Sequence, residues 1–279
     1  MHSINSAELP QGACDSHMHV YDASFSTVPG ARLTPPDASI EDYLRIQARL
    51  GLQRAVVVTP STYGTDNRCA LRAVARLGAR ARGIAVVTGS VTEQELRDLH
   101  AGGVRGILFN QALSEVTTLD DLEGLAERIA PWGWHVQLLL RAADLPRLEG
   151  RLRDLPVPVV FDHLGRLPPP AMKHPAFPVL QRLLAAGGAW VKLSGADLGG
   201  DMADARGLIE HFVSVWPDRS LWGSNWPHPT SSAGWHPMPD DGQLLEELLA
   251  AVRSPAVVEC ILAVSPSTLY GFSEHEGGA

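Results

Sequence analysis

Eight times along this chain a short run of β-branched and aliphatic residues gives way to a stretch with helical periodicity. That alternation restricts the fold more than any other feature. The apolar runs begin near Ala13, Arg54, Arg82, Gly103, His135, Val157, Trp190 and Ser220. AVVVT (55–59), VRGILF (104–109), HVQLLL (135–140) and WVKLSG (190–195) have the near-continuous Val/Ile/Leu character of parallel strands covered on both faces. Between them, Ser39 can cap a helix that ends at Gly51. Thr92 and Glu95 form a capping box ahead of Leu96 and Leu99. Leu119, Leu122, Leu125 and Ile129 fall on one helical face, as do Leu145, Leu148, Leu152 and Leu155 after Asp144. Segments 177–188, 204–216 and 241–252 complete the series.

The pattern predicts a single α/β domain, a (β/α)₈ TIM barrel, and 279 residues is an ordinary length for one. An open doubly wound sheet would usually bring a GxGxxG turn after its first strand, and the stretch after Val20 has none. The expected organisation is an N-terminal extension over 1–12, the barrel over 13–272 and a disordered polar tail over 273–279. The Pro-rich stretch 28–37 and the Ser/Gly/Pro stretch 227–241 both follow strand C-termini, where barrel enzymes build their sites.

A net charge of −8, spread along the chain, speaks against a nucleic-acid partner. No apolar run reaches the length of a membrane span. Cys14, Cys69 and Cys260 are too widely spaced for a disulfide framework or a metal knuckle. The N-terminal segment has no signal-peptide pattern, so a cytoplasmic location is expected. Self-association into a homo-oligomer is left open.

Three blocks carry candidate chemistry. In Asp15-Ser16-His17-Met18-His19 the period of a strand puts His17 and His19 on one face at the end of the first strand. Two converging imidazoles suit a metal or the polarisation of a carbonyl. The bland alternative is an incidental pair. His163 ends the sixth run in Phe161-Asp162-His163-Leu164-Gly165-Arg166; alone it would read as a structural histidine. In Trp222-Gly223-Ser224-Asn225-Trp226-Pro227-His228 two Trp, a Pro and a Gly suggest a rigid turn that fixes Asn225 or His228.

These blocks resemble the amidohydrolase superfamily, in its branch of 2-pyrone-4,6-dicarboxylate lactonases, sulfomuconolactone hydrolases and galactarolactone isomerases. Thr34-Pro35-Pro36, Gly64-Thr65-Asp66-Asn67, Gly103-Val104-Arg105-Gly106 and Pro239-Asp240-Asp241-Gly242 extend the likeness from about residue 13 to 272. The resemblance implies a site of His17, His19, His163 and the residue at 225. Two departures stand out. Position 225 is Asn where most of the superfamily has an Asp that binds metal or activates water. Leu108 stands where lactonases that grip dicarboxylates tend to have an arginine.

The resemblance implies catalysis without a metal; the alternative is one Zn on His17, His19 and His163. A second metal would need a bridging carboxylate, which the fourth, fifth and seventh runs lack. The expected function is hydrolysis of a small carboxylated lactone in catabolism, with the carbonyl polarised by the His cluster. Lactone isomerisation is the second expectation, favoured by Asn225. A zinc-dependent decarboxylase and a non-catalytic binder of lactones or carboxylic acids are further alternatives. Arg166 is the first candidate for a substrate carboxylate, followed by Arg68 and Lys192. Tyr63, Asn67 and His228 join the candidate substrate contacts, and His228 is also a candidate to activate water. For each cation the bland alternative is a solvated or structural role.

Overall fold

A computed structural model describes residues 9–114, 116–199 and 201–273. Eight strands form one parallel sheet in sequential order: β1 (Cys14–Met18), β2 (Arg54–Val58), β3 (Ala81–Ala85), β4 (Val104–Asn110), β5 (His135–Leu139), β6 (Val159–Phe161), β7 (Ala189–Lys192) and β8 (Ser220–Leu221). Helices cover the outside, among them Ile40–Leu50, Glu93–Ala101, Leu145–Arg153 and Ala176–Ala185. Ser39 and Thr92 close reciprocal capping boxes with Asp42 and Glu95, and Gly51 ends the first helix in the left-handed conformation. The expected (β/α)₈ barrel is the observed architecture.

The barrel closes by a seam that is more than a ladder. Ser16 N donates to Trp222 O at 2.8 Å, Asn225 N to His17 O at 2.8 Å and His19 N to Trp226 O at 2.8 Å. Behind them the buried Asp15 carboxylate accepts from His17 N (3.0 Å), Ser224 N (2.9 Å), Ser224 Oγ (2.6 Å) and Tyr43 Oη (3.1 Å). Burial pushes the Asp15 carboxyl up to about 6, and the Ser224 hydrogen bonds oppose that rise. Gly223 allows the close approach. A Cβ there would lie 2.6 Å from His17 Cβ and 2.8 Å from His17 N. The eighth run therefore leaves the sheet after Leu221, earlier than its apolar length suggests, and turns at Asn225 with φ 64°.

Inside the barrel Cys14, Val56, Ile84, Val160, Trp190 and Leu221 share one packed cluster. A C-terminal helical run, Pro255–Glu259, Cys260–Val264 (a π turn) and Ser265–Tyr270, is absent from the sequence expectation. It carries Tyr270 edge-on to His135 at the start of β5, with ring centroids 5.3 Å apart, which covers the N-terminal mouth of the barrel. Most of the expected N-terminal extension (1–8) and tail (274–279) lies outside the described residues. Of the remainder, Gly12 N donates to Gln53 Oε1 at 2.6 Å, and Ser273 O accepts from Arg54. Among the described residues no helix is long and apolar enough to cross a membrane.

Replacing Gly223 by Ala should force the seam apart. Over-packing of this kind costs about 1–3 kcal/mol. The expected result is a lowered thermal midpoint, and a melt equal to that of the unmodified protein would show that the seam has slack.

Candidate active site

The C-terminal ends of the strands surround a cleft of about 790 Å³, open mouth included. His17 is the penultimate residue of β1 and His19 follows the strand, and a register shift between Asp15 and Met18 marks this stretch of the ladder. His163 follows β6 with φ 52°, an uncommon left-handed conformation outside glycine. Its ring packs against Gly195, where a Cβ would meet His163 Cγ at 2.9 Å. The His17 ring lies 4.9 Å from His19 and 4.8 Å from His163, centroid to centroid. Three imidazoles from distant parts of the chain thus meet on the cleft floor.

Their protons can be assigned from their partners. His19 Nδ1 is 2.8 Å from Val58 O, and a carbonyl only accepts, so this nitrogen carries the hydrogen. Burial lowers the His19 pKa to about 4, so the ring is neutral and its Nε2 is bare. His17 Nε2 stands 3.2 Å from that bare nitrogen and must supply the hydrogen between them. His17 is also neutral, its pKa held well below the usual histidine range by burial and by the charge of Lys192. Its Nδ1 is therefore an acceptor, and Lys192 Nζ faces it at 3.2 Å. Asp162 Oδ1 lies 3.3 Å from the same Nδ1. A hydrogen on Nδ1 could satisfy Asp162, but it would leave two lone pairs opposed at His17 and His19 and an N–H aimed at an ammonium. The Lys192-donated arrangement avoids both conflicts.

Lys192 is fully buried on β7. It donates to Gln137 Oε1 at 2.7 Å and stands 3.6 Å from Asp162 Oδ1, while Gln137 Nε2 donates to Asp162 Oδ2 at 2.9 Å. Burial pulls its pKa down to about 8, against the attraction of Asp162. His163 pairs through Nδ1 with Ser194 Oγ at 2.9 Å, and burial lowers its pKa too.

The other residues singled out in the sequence divide clearly. Asn225 and Arg166 line the cleft. The Asn225 backbone is fixed at both ends, its N by His17 O and its O by His228 N, and its amide side chain has no protein partner among the described residues. Arg166 stands at the rim with no hydrogen bond or ion pair among the described residues. Desolvation lowers its pKa from the usual arginine value.

Lys192 lies beneath the imidazoles rather than on the cleft wall. His228 turns away, its Nε2 2.9 Å from Asp241 Oδ1. Asn67 braces β2 against β3 by accepting from Thr59 Oγ1 and Val86 N and donating to Val86 O. Arg68 pairs with Asp66 on the exposed surface. Tyr63 exchanges hydrogen bonds with the Asp22 backbone. None of these five touches the cleft.

Sequence reading missed Asp15, Gln137 and Asp162. Gln137 was visible as the one polar residue within the apolar run VQLLL, and Asp162 lay inside a block noted only for its histidine.

The donor set bears on a metal. His17 and His19 bring their Nε2 atoms within 3.2 Å of each other, Asn225 offers a neutral amide to the cleft and Lys192 holds a positive charge against His17. Among the described residues no group of three or more His, Cys, Asp or Glu side chains has the geometry to hold a metal ion.

Comparison with known proteins agrees with the fold and extends over the site. A family model described as Amidohydrolase matches residues 14–272. A 2-pyrone-4,6-dicarboxylate hydrolase of Comamonas testosteroni is 35% identical, with 94% of this chain and 91% of that protein covered. A D-galactarolactone isomerase of Agrobacterium fabrum is 28% identical over 95% of this chain and 93% of its own. The crystal structure of an Agrobacterium tumefaciens protein, in its apo form, superposes with a TM-score of 0.86 at 27% identity, covering 95% of this chain and 97% of the other.

The proton assignment can be read by ¹⁵N NMR of the histidine rings. His17 should carry its hydrogen on Nε2, and Lys192→Met should move population to Nδ1, toward Asp162. A wild-type His17 protonated at Nδ1 would overturn the assignment.

Proposed function

This chain belongs to the amidohydrolase family, and we propose that it hydrolyses the ester bond of a small carboxylated lactone without a metal. The observation that carries this reading is the convergence of His17, His19 and His163 on the floor of an open cleft that has an unpaired guanidinium at its rim. The lactone carbonyl oxygen takes the hydrogen that His17 Nε2 otherwise offers to His19. Loss of one such oxyanion donor typically costs about 10²–10³ in rate. Water adds to the carbonyl carbon and gives its proton to the bare His19 Nε2. Collapse breaks the acyl–oxygen bond, and the same proton passes to the leaving alkoxide. Arg166 holds the substrate carboxylate, a role suited to its forked donors. Support for this reading comes from the pyrone dicarboxylate hydrolase named among the relatives. The donor set described above supports the metal-free form.

Asn225 favours a second reading. An amide cannot accept a proton near neutral pH, so the site lacks the carboxylate base that would make water attack fast. A hydroxyl already on the substrate needs less activation, because attack within one molecule gains effective concentration. The outcome is a change of ring size with no net water added. The named galactarolactone isomerase is consistent with it. In either case we place the protein in the cytoplasm, in small-molecule catabolism without a nucleic-acid partner. Its three free cysteines fit a reducing compartment.

A panel of lactones followed by NMR, run with and without chelator, separates the readings. Acid release is the expected result. Ring-size change without acid would make the protein an isomerase, loss of CO₂ a decarboxylase, and binding without turnover a binder. Asn225→Asp supplies a base where the left-handed backbone tolerates it. It should raise hydrolysis by about 10² or more, and unchanged rate and product would refute the role given to position 225.

The pH profile has a definite shape. Burial holds the His17 and His163 pKa values well below the usual histidine range and brings that of His19 to about 4, so none of the three rings takes up a proton at the usual histidine value. kcat/KM should therefore show no acid limb near pH 6.5. It should fall above about pH 8, where Lys192 gives up its proton and no longer fixes the His17 tautomer. An acid limb at an ordinary histidine pKa would count against the mechanism.

A further inference from the structure

The cleft is chemically lopsided. Of its lining side chains, Arg166 alone is a permanent cation, and it stands after β6 beside the imidazoles. The one carboxylate, Asp162, is buried and already held by Gln137 and Lys192. The side formed by β4 and β5 is different. Leu108 (4% exposed) and Leu139 (6% exposed) belong to one apolar cluster, and Leu113 packs against it. Asn110, on that same side, has its carbonyl oxygen committed to the backbone of Ala112 and Leu113. At the mouth Trp235 leaves 48% of its surface exposed.

We infer that the substrate is a monoanionic lactone, with its one carboxylate on Arg166 and an alkyl or aryl substituent packed against Leu108, Leu113 and Leu139. This inference rests on the lactone reading above and narrows it. A second carboxylate on the leucine side would lose its hydration where no Arg or Lys lines the cleft (the exposed Arg32, which reaches Ala112 O at 3.5 Å, is not among the lining residues), and burying an unpaired charge is among the costliest contacts a site can make. An apolar substituent there gains about 0.8 kcal/mol for each buried methylene. The wall thus rejects dianions as well as welcoming apolar groups, and discrimination by both routes is what makes a site selective.

The test uses two γ-lactones that share one ring carboxylate and differ at the opposite ring carbon, one bearing propyl and the other a second carboxylate. kcat/KM should favour the propyl compound by about 10² or more. Cyclopentanone analogues with the same substituents cannot be hydrolysed, and calorimetry should show the same order of binding. Leu108→Arg should narrow or reverse the preference. Arg166→Met should weaken both analogues about 10–100-fold, the loss of a charge-assisted pair.

Binding in this order without turnover of either lactone would sink the hydrolase reading and leave the inference standing. Tighter binding or faster turnover of the dianion by the unmodified protein would overturn the inference alone. So would analogue affinities that Leu108→Arg and Arg166→Met leave unchanged. Failure of both analogues to bind would end both.

Discussion

A single ammonium group held inside the barrel organises everything above it. Lys192 has no access to water, so its charge must be satisfied by protein atoms. Gln137, Asp162 and His17 supply them, one each from β5, the end of β6 and β1. Each partner is turned inward by that need. A barrel layer that could have been aliphatic is polar instead, and the imidazole at its top has its hydrogen fixed on the cleft side. Chemistry at the floor follows from charge solvation one layer down.

The upper edge of the barrel carries unusual backbone. His163, Leu164, Arg166, Asn225 and His228 all have positive φ, each costing roughly 1–2 kcal/mol for an ordinary side chain. Such conformations persist where the surroundings over-determine them. Here the surroundings are visible. Asn225 is tied at both backbone ends, and the Asp15 carboxylate draws four donors into the same seam. The two turns that present His163, Arg166 and Asn225 are rigid for the same reason that they are strained.

Much of this was legible in the sequence. Local rules were sufficient for the alternation of strand and helix, for the caps at Ser39 and Thr92, and for the shared face of His17 and His19, because each depends on neighbours a few residues away. The C-terminal helical run escaped because it lies beyond the strand–helix alternation, and its π turn interrupts regular periodicity. Lys192 was expected at a substrate carboxylate and lies one layer below the imidazoles instead, since an apolar run shows that a strand is buried and not which layer each of its residues occupies. Arg68, Asn67 and Tyr63 were drawn in by a loop at the right end of the barrel whose side chains face elsewhere. Asp15 was the hardest to see: three of its four hydrogen bonds go to partners far along the chain.

The bond from Ser224 to Asp15 spans 209 positions. On the ribosome the first strand is made some 209 residues before its seam partner Ser224 emerges. Until then β1 has one edge with no neighbour, and the catalytic floor has no fourth wall. Pairings of such long sequence separation form slowly, and unpaired strand edges are where chains stick to one another. The arrangement that brings distant imidazoles together therefore makes assembly of the site one of the last events in folding, and it leaves the nascent chain in need of protection while it waits.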